Sequence, residues 1–167
     1  MRLLDRIVLG ALAGVAATLP MTIAMRHLHN RLPADERYPL PPREISKDFP
    51  RLGLRPATAT LLYHFAYGGA AGAVFALFSR RRGLTTGGLF GVGVWGASYL
   101  GWIPLARVLR PGTDHPARRN ALMLAVHLVW GGGLAAGLRE LELARAESFA
   151  CGNSPSPVLK DRPEDRP

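Results

Sequence analysis

The residues of this sequence best suited to chemistry are two histidines, His64 and His127. Each is the only Asp, Glu, Lys, Arg or His in a long apolar segment, and three residues after each come an aromatic ring and two glycines. Placing an ionisable residue inside a membrane costs free energy, so such residues are functional candidates. Three interpretations compete: imidazoles that hydrogen-bond and hold helices together, a polar pocket that binds a small ligand or relays protons, and a haem or metal site.

Four further side chains are expected to reach the level of the two histidines. His64 and His127 each lie seven positions into their segments, about 10 Å deep along a helix. Their shared faces with glycines predict that both point into the interior of the protein and not at lipid. The predicted ligand-binding set is therefore His64, His127, Tyr67, Tyr99, Trp102 and Thr22.

The sequence does not favour an enzyme or a metalloprotein. It contains no Gly-rich phosphate loop, nucleophile elbow or HExxH motif, so no catalytic residue is assigned. A zinc site would need a third or fourth ligand, and none is expected at the depth of the two histidines. We therefore expect no cofactor, and a haem- or metal-binding redox subunit is the alternative.

Four apolar segments must position these residues, and each is long enough to cross a bilayer. At about 1.5 Å per helical residue, roughly 20 residues cover the hydrocarbon core of about 30 Å. This predicts an all-α membrane protein with four transmembrane helices in a bundle over 1–140, with a polar connector at 26–56. The four spans are 7–25, 57–78, 84–106 and 120–138. A cleaved signal peptide ending near Ala16-Ala17 is the competing interpretation of the first span, but the apolar run continues to Met25.

The segments outside the spans are polar. Pro42 could begin a short helix running through Ile45 and Phe49, and this part of the connector is either an interfacial loop or a lid over the bundle. After Arg139 the helix is expected to extend into water, and the tail at 141–167 is predicted to be largely disordered. The single cysteine, Cys151, excludes an internal disulfide framework.

Pairs of small residues four apart recur in every span, and they predict close helix packing. The pairs are Gly10 and Gly14, Gly68 and Gly72, Gly87 and Gly91, and Gly133 and Gly137. The match of His64–Gly69 with His127–Gly132 also suggests a parallel duplication of a two-helix hairpin. Chance similarity among Gly-rich apolar helices is the alternative explanation.

The net charge of +9 favours a lipid surface over nucleic acid as the partner, because the Arg residues lie between the apolar segments and not along one folded face. The connectors on the histidine side hold 11 Arg or Lys residues, and the other side holds seven near the membrane. This excess predicts that the histidine side faces the cytoplasm.

Several short motifs resemble those of a family of small bacterial inner-membrane proteins, the YagU-like proteins, over about residues 5 to 140. The motifs are Leu19-Pro-Met-Thr, Tyr38-Pro-Leu-Pro-Pro-Arg-Glu-Ile, His64 to Gly69 and Tyr99-Leu-Gly-Trp-Ile-Pro. The resemblance implies a multi-pass inner-membrane location and no defined activity. Together these observations predict an integral membrane protein with a His-containing pocket that binds a small ligand or a membrane partner protein, or else a structural accessory subunit.

Overall fold

The apolar segments form long helices that run against one another. The computed structural model describes residues 2–47, 49–50, 53–80, 82–108 and 110–151, without the side chains of 149–151. In these residues the regular structure is helical and no β-strand occurs, which confirms the all-α prediction. The helices are α1 (Leu3–His29), α2 (Pro41–Ile45), α3 (Pro56–Phe78), α4 (Leu84–Gly96), α5 (Ile103–Leu105) and α6 (Ala117–Cys151).

Three of the helices described, α1, α3 and α6, are long and apolar enough to cross a membrane. The segment predicted as the third span, 84–106, is not one continuous helix. After the 13 residues of α4 it passes through a π-helical turn (Ala97–Trp102), in which Gly101 leaves the helical region of φ and ψ, and it ends in the short helix α5. Pro104 explains the break, because it has no N–H to donate to the carbonyl of Leu100 and its ring crowds that carbonyl.

Glycines bring the helices into contact in two pairs, α1 with α3 and α4 with α6. A Cβ added at Gly14 would collide with the carbonyl of Gly68, and one at Gly72 with the carbonyl of Gly10. In the second pair, a Cβ at Gly91 would collide with the carbonyl of His127. Such close backbone approach is what small residues spaced four apart allow in membrane helices.

The two pairs use the same contacts at a different register. Gly10 meets Gly72 and Ala76, whereas Gly87 meets Gly131 and Ala135. If α3 and α6 are aligned by these glycine contacts, equivalent residues are 59 positions apart (131 minus 72). If they are aligned by His64 and His127, equivalent residues are 63 positions apart. The difference is four residues, about one helical turn. His127 therefore takes the place in its pair that Gly68 takes in the other.

Helix α1 also packs against α6 and so joins the two pairs. At this junction the buried Thr18 accepts a hydrogen bond of 3.1 Å from Nε1 of Trp130 and donates one of 2.7 Å to the carbonyl of Gly14. The hydroxyl of Thr18 also occupies the space that a side chain at Gly68 would need. The hydroxyl of Thr18 on α1 thus contacts both α3, at Gly68, and α6, at Trp130.

Ion pairs join the helix ends on the side away from the histidines. Arg145 pairs with Asp5 at 2.6 Å, and Arg82 pairs with Glu142 at 3.0 Å. Arg6 donates to the carbonyls of Ala76 and Leu77 at the C-terminal end of α3, where backbone carbonyls lack partners within the helix. Helix α6 continues past the fourth predicted span to Cys151, as expected for the extension. Of the tail predicted to be largely disordered, 141–151 belongs to this helix, and 152–167 lies outside the described residues.

Candidate functional site

A cavity of about 340 Å³ lies at the connector end of the helices, and we call it the connector-side cavity. It brings together five of the six residues predicted from the sequence: His64, Tyr67, Tyr99, Trp102 and His127. The rest of its lining is mostly apolar, with Met21, Met25 and Met123 from α1 and α6 and Ile45 and Phe49 from the first connector. Methionine adapts its shape readily, so such a wall can accommodate an apolar guest.

The two imidazoles face this cavity in different hydrogen-bonding states. Nδ1 of His127 lies 2.7 Å from the carbonyl of Met123. A carbonyl only accepts, so Nδ1 carries the proton and Nε2 of the neutral ring is an acceptor. Nε2 of His64 is buried and has no hydrogen-bond partner among the described residues. His64 thus has unused hydrogen-bonding capacity in the cavity wall, as does the buried hydroxyl of Tyr99.

Tyr67 and Trp102 form the outer edge of the cavity between α3 and the π-helical turn. Both side chains are part exposed, and their ring centroids are 6.2 Å apart. The hydroxyl of Tyr67 also lies 2.8 Å from that of Ser98. This aromatic seam spans the space between two helices that pack principally against other partners, α3 against α1 and α4 against α6. In a bilayer the seam would face the lipid.

Thr22 is the predicted site residue that does not line this cavity. Its hydroxyl donates to the carbonyl of Thr18 one turn earlier, at 2.7 Å. On α1 it is Met21 and Met25 that face the cavity, and Thr22 lies about 100° around the helix from Met21. Thr22 instead lines a neighbouring groove. That groove is also lined by His64, so the structure brings Thr22 together with one of the two histidines.

The neighbouring groove is strongly basic, and we call it the basic groove. It has a volume of about 970 Å³, and its cationic side chains are Arg26, Arg37, Arg43, Lys47 and Arg55. Lys47 pairs with Glu44, but Arg26, Arg43 and Arg55 make no ion pair with any described residue. Met25, Pro42 and His64 line both the groove and the connector-side cavity, so the two spaces adjoin.

A buried arginine holds the first connector in place over the cavity. Arg119, at the start of α6, is only 2% exposed and donates to the backbone carbonyls of Glu36, Tyr38 and Pro39. Its guanidinium also lies over the ring of Tyr38, 3.7 Å from the centroid. Segment 34–45, which we call the connector cap, therefore has a fixed conformation set by α6. Helix α2 within the cap begins with Pro41, one residue before the expected start, and ends at Ile45, so it does not reach Phe49 as expected.

His115 from the second connector completes the attachment of the cap. Its Nδ1 lies 2.6 Å from the hydroxyl of Tyr38, and the two rings are stacked. Burial, followed by the nearby charge of Arg119, lowers the pKa of His115 below its ordinary value of 6.5. The neutral ring is therefore favoured in the folded protein, and stability gained from this contact is lost as the pH falls below about 6.5, where the unfolded chain takes up the proton.

Sequence reasoning gave a lid as one of two interpretations of this connector, but it missed the arginine that anchors it. Arg119 was counted among connector cations, and nothing in its neighbours Arg118 and Asn120 distinguishes it as buried. Two features of the sequence could have indicated the contact. Arg119 lies one or two positions before the apolar run of α6, and Tyr38 begins a proline-rich segment in which many backbone carbonyls lack a partner. Arginine is the side chain that can both stack on a ring and donate to several carbonyls at once.

The polar atoms of the connector-side cavity come from His, Tyr, Trp and Ser side chains. Its lining includes no carboxylate and no Lys or Arg among the described residues, and Ser98 is engaged by Tyr67. Within the described residues no group of three or more His, Cys, Asp and Glu side chains could hold a metal ion. The walls offer an apolar surface with a few hydrogen-bonding atoms, as small-molecule sites usually do.

No family model matches this sequence, and no curated protein or solved structure is significantly similar to it. The resemblance to YagU-like proteins therefore stays a prediction from short motifs.

Proposed function

We propose that this chain is a four-span integral protein of the bacterial inner membrane whose connector-side cavity binds a small apolar or amphipathic molecule. The observation that carries the proposal is the convergence of His64, His127 and three aromatic side chains from separate helices on one cavity. Its volume lies within the range of about 300–1,000 Å³ typical of small-molecule sites. A binding or accessory role fits the absence of acid–base pairs in the described cavity wall better than catalysis does.

Large apolar side chains on the outside of the helices support the membrane location. Leu12 and Ile23 on α1 are 54% and 61% exposed, and Leu89 on α4 is 67% exposed. Similar side chains cover the outer faces of the other helices: Leu61, Leu62, Val74, Phe78, Leu84, Leu128 and Val129. A monomeric soluble protein rarely exposes contiguous apolar surface of this extent, whereas lipid tails solvate it at little cost.

Besides α1, α3 and α6, this proposal counts one more span, the interrupted segment 84–105 from the start of α4 to the end of α5, which is third in chain order. Irregular backbone at membrane depth is tolerated where protein or a cavity covers it, and here the π-helical turn borders the connector-side cavity. The similar glycine contacts of α1 with α3 and of α4 with α6 support a parallel duplication, in which the second helices have shifted by one turn.

Reporter fusions test the topology. Fusions directly after residue 25, within 80–82, within 107–119 and after 139 should report alternating sides of the membrane. The fusion after residue 139 should report the same side as the N-terminus. Two consecutive sites on one side would remove a span and contradict the four-span proposal.

A fluorescent neutral apolar probe tests the cavity. Ala70 lines the cavity, so Ala70→Trp should fill it and reduce binding of the probe at least tenfold. Val74→Trp, one turn further along α3 on an exposed position outside the cavity, is the matched control and should leave binding unchanged. Equal binding by the two variants, or none by the wild type, would contradict a ligand site here.

A redox role is the second candidate, because two imidazoles on separate helices face one cavity. The absorption spectrum of the protein purified from membranes tests it. A Soret band that is lost in both His64→Leu and His127→Leu would replace the binding proposal by a haem protein.

A further inference from the structure

We propose that the ligand of this site is an anionic lipid-like amphiphile, with its phosphate or carboxylate head in the basic groove and its apolar chain in the connector-side cavity. This inference rests on the proposed function and names the class of ligand. The two spaces differ in chemistry and share the wall formed by Met25, Pro42 and His64. A molecule with one charged end and one apolar end would occupy both.

The position of the groove cations fits a headgroup. Arg26 follows directly on the apolar run that ends at Met25, and Arg55 directly precedes Pro56 at the start of α3. Both guanidinium groups therefore lie at the boundary between hydrocarbon and headgroups, whichever way the chain is oriented. Arg43, at the C-terminal end of α2, brings a third unpaired cation to the same groove from the connector cap.

The unpaired state of these arginines matters for affinity. Lys47 already has Glu44 as a partner, and Arg37 donates to the carbonyl of Leu32. The acids of the first connector described, Asp35, Glu36 and Glu44, do not line the groove. Arg26, Arg43 and Arg55 thus have no side-chain partner among the described residues. A planar guanidinium can bind a phosphate or carboxylate through two parallel hydrogen bonds.

The apolar part of the ligand has a route from the bilayer. Tyr67 and Trp102 are part exposed and line the cavity, and this edge is bridged by the Tyr67–Ser98 hydrogen bond and by the contact between the two rings. A chain passing between α3 and the π-helical turn would enter sideways without crossing water. Moving a chain from lipid into an apolar cavity changes the free energy little, so the headgroup must supply the selectivity.

His64 lies where the two parts of such a ligand would join. Its Nε2 is buried, lacks a partner in the described chain and belongs to the wall shared by groove and cavity. It can exchange a hydrogen bond with the ester or hydroxyl groups that link a lipid head to its chain. This assigns a use to a buried imidazole nitrogen that has no hydrogen-bond partner in the described residues.

Lipid retention in native mass spectrometry tests the inference on the full-length protein in mild detergent. Phosphatidylglycerol should be retained in preference to phosphatidylcholine with identical chains. A basic residue at a membrane surface contributes about 1 kcal/mol, roughly fivefold in affinity, so Arg43→Gln/Arg55→Gln should weaken phosphatidylglycerol binding on the order of twentyfold. Arg31→Gln/Arg118→Gln removes the same charge from exposed positions outside the groove and should change it little.

The remaining arms separate a lipid from a free anion. Ala70→Trp should weaken phosphatidylglycerol binding, with Val74→Trp as the control, and inorganic phosphate should not displace the lipid at equal concentration. If inorganic phosphate binds with the same arginine dependence and Ala70→Trp has no effect, the groove is a free-anion site and the lipid inference is overturned. If the neutral probe still binds the cavity but the two lipids are retained equally, this inference fails while the proposed function survives.

Discussion

The two halves of this molecule are built on opposite packing rules. Along the glycine pairs, helix backbones touch, and a single Cβ at Gly14, Gly91 or Gly131 would collide with a carbonyl. At the connector end, aromatic side chains such as Tyr67 and Trp102 take the place of small residues, and a cavity separates the helices. The chain therefore places its tightest contacts and its open space within the same helices, about one or two turns apart.

This contrast shows how a small membrane protein makes a pocket without losing its fold. Helices in lipid gain little by burying large apolar side chains, so contact between backbones has to hold them together. Once the glycine contacts fix the helices, the ends of α3 and α4 can diverge. The helix break at Gly101 and Pro104 lies beside the cavity, and the connector cap covers the cavity at the connector end.

The largest effect is expected from a substitution in the tightly packed half. Gly131→Leu should prevent folding or strongly lower thermal stability in detergent, because its Cβ would meet the carbonyl of Gly87. The adjacent Gly132→Leu should be tolerated, since nothing lies within 4 Å of the position its Cβ would take. Even Gly131→Ala should cost about 1–3 kcal/mol, as overpacking usually does. Equal stability of the two leucine variants would show that the glycine spacing is an accident of composition.

The second effect concerns the cover of the open half. Arg119→Met removes three hydrogen bonds to backbone carbonyls and the contact with Tyr38, and bonds to charged groups contribute about 1.5–3 kcal/mol each. Local opening of the connector cap should speed trypsin cleavage at Arg43 at least tenfold. Arg118→Met, at the exposed neighbour, is the control. Unchanged cleavage in both variants would mean that Arg119 does not hold the cap.

A smaller effect is expected at the junction of the two helix pairs. Thr18→Val removes the acceptor for Nε1 of Trp130, and hydrogen bonds between membrane helices contribute about 0.6 kcal/mol and at most about 1.7. Thr22→Val is matched to it, because Thr22 makes the same bond to the carbonyl four residues earlier but has no described partner on another helix. Reversible unfolding of both variants measures the difference, and a larger loss at Thr22 would contradict the assignment.

The smallest effect, and the one that sharpens the comparison most, is the coupling between His64 and His127. Each change to Leu should cost less than about 1 kcal/mol, because no direct hydrogen bond joins the two rings in the described structure. With a ligand in the shared cavity, the double variant should cost less than the sum of the singles by about 0.5 kcal/mol or more. Removing bound lipid should restore additivity. If the losses of unfolding free energy are additive and the purified protein never carries a bound molecule, His64 and His127 are independent packing residues and do not share a ligand site.

Much of the site could be predicted because histidine in an apolar helix is a rare event. The spacing of His64 from Gly68, and of His127 from Gly131, placed both imidazoles on packed faces, and both line the cavity. Tyr99 and Trp102 followed from their depth at the end of the third apolar run. Thr22 lines the basic groove with His64 and not the cavity. Depth alone does not specify which side of a helix a residue faces, because a one-residue step turns the side chain by about 100°.

The sequence by itself determined that the chain is helical, that apolar faces lie outside and that glycines mark the contacts, since hydrophobic run length and small-residue spacing act locally along each segment. Only the tertiary structure decided the one-turn shift between the helix pairs, the burial of Arg119 and the adjoining of basic groove and cavity. These depend on which carbonyl of one helix meets which residue of another. The spacing within one segment does not show which distant residue will be the partner, as in the pairing of Arg119 with Tyr38 or of Gly14 with Gly68.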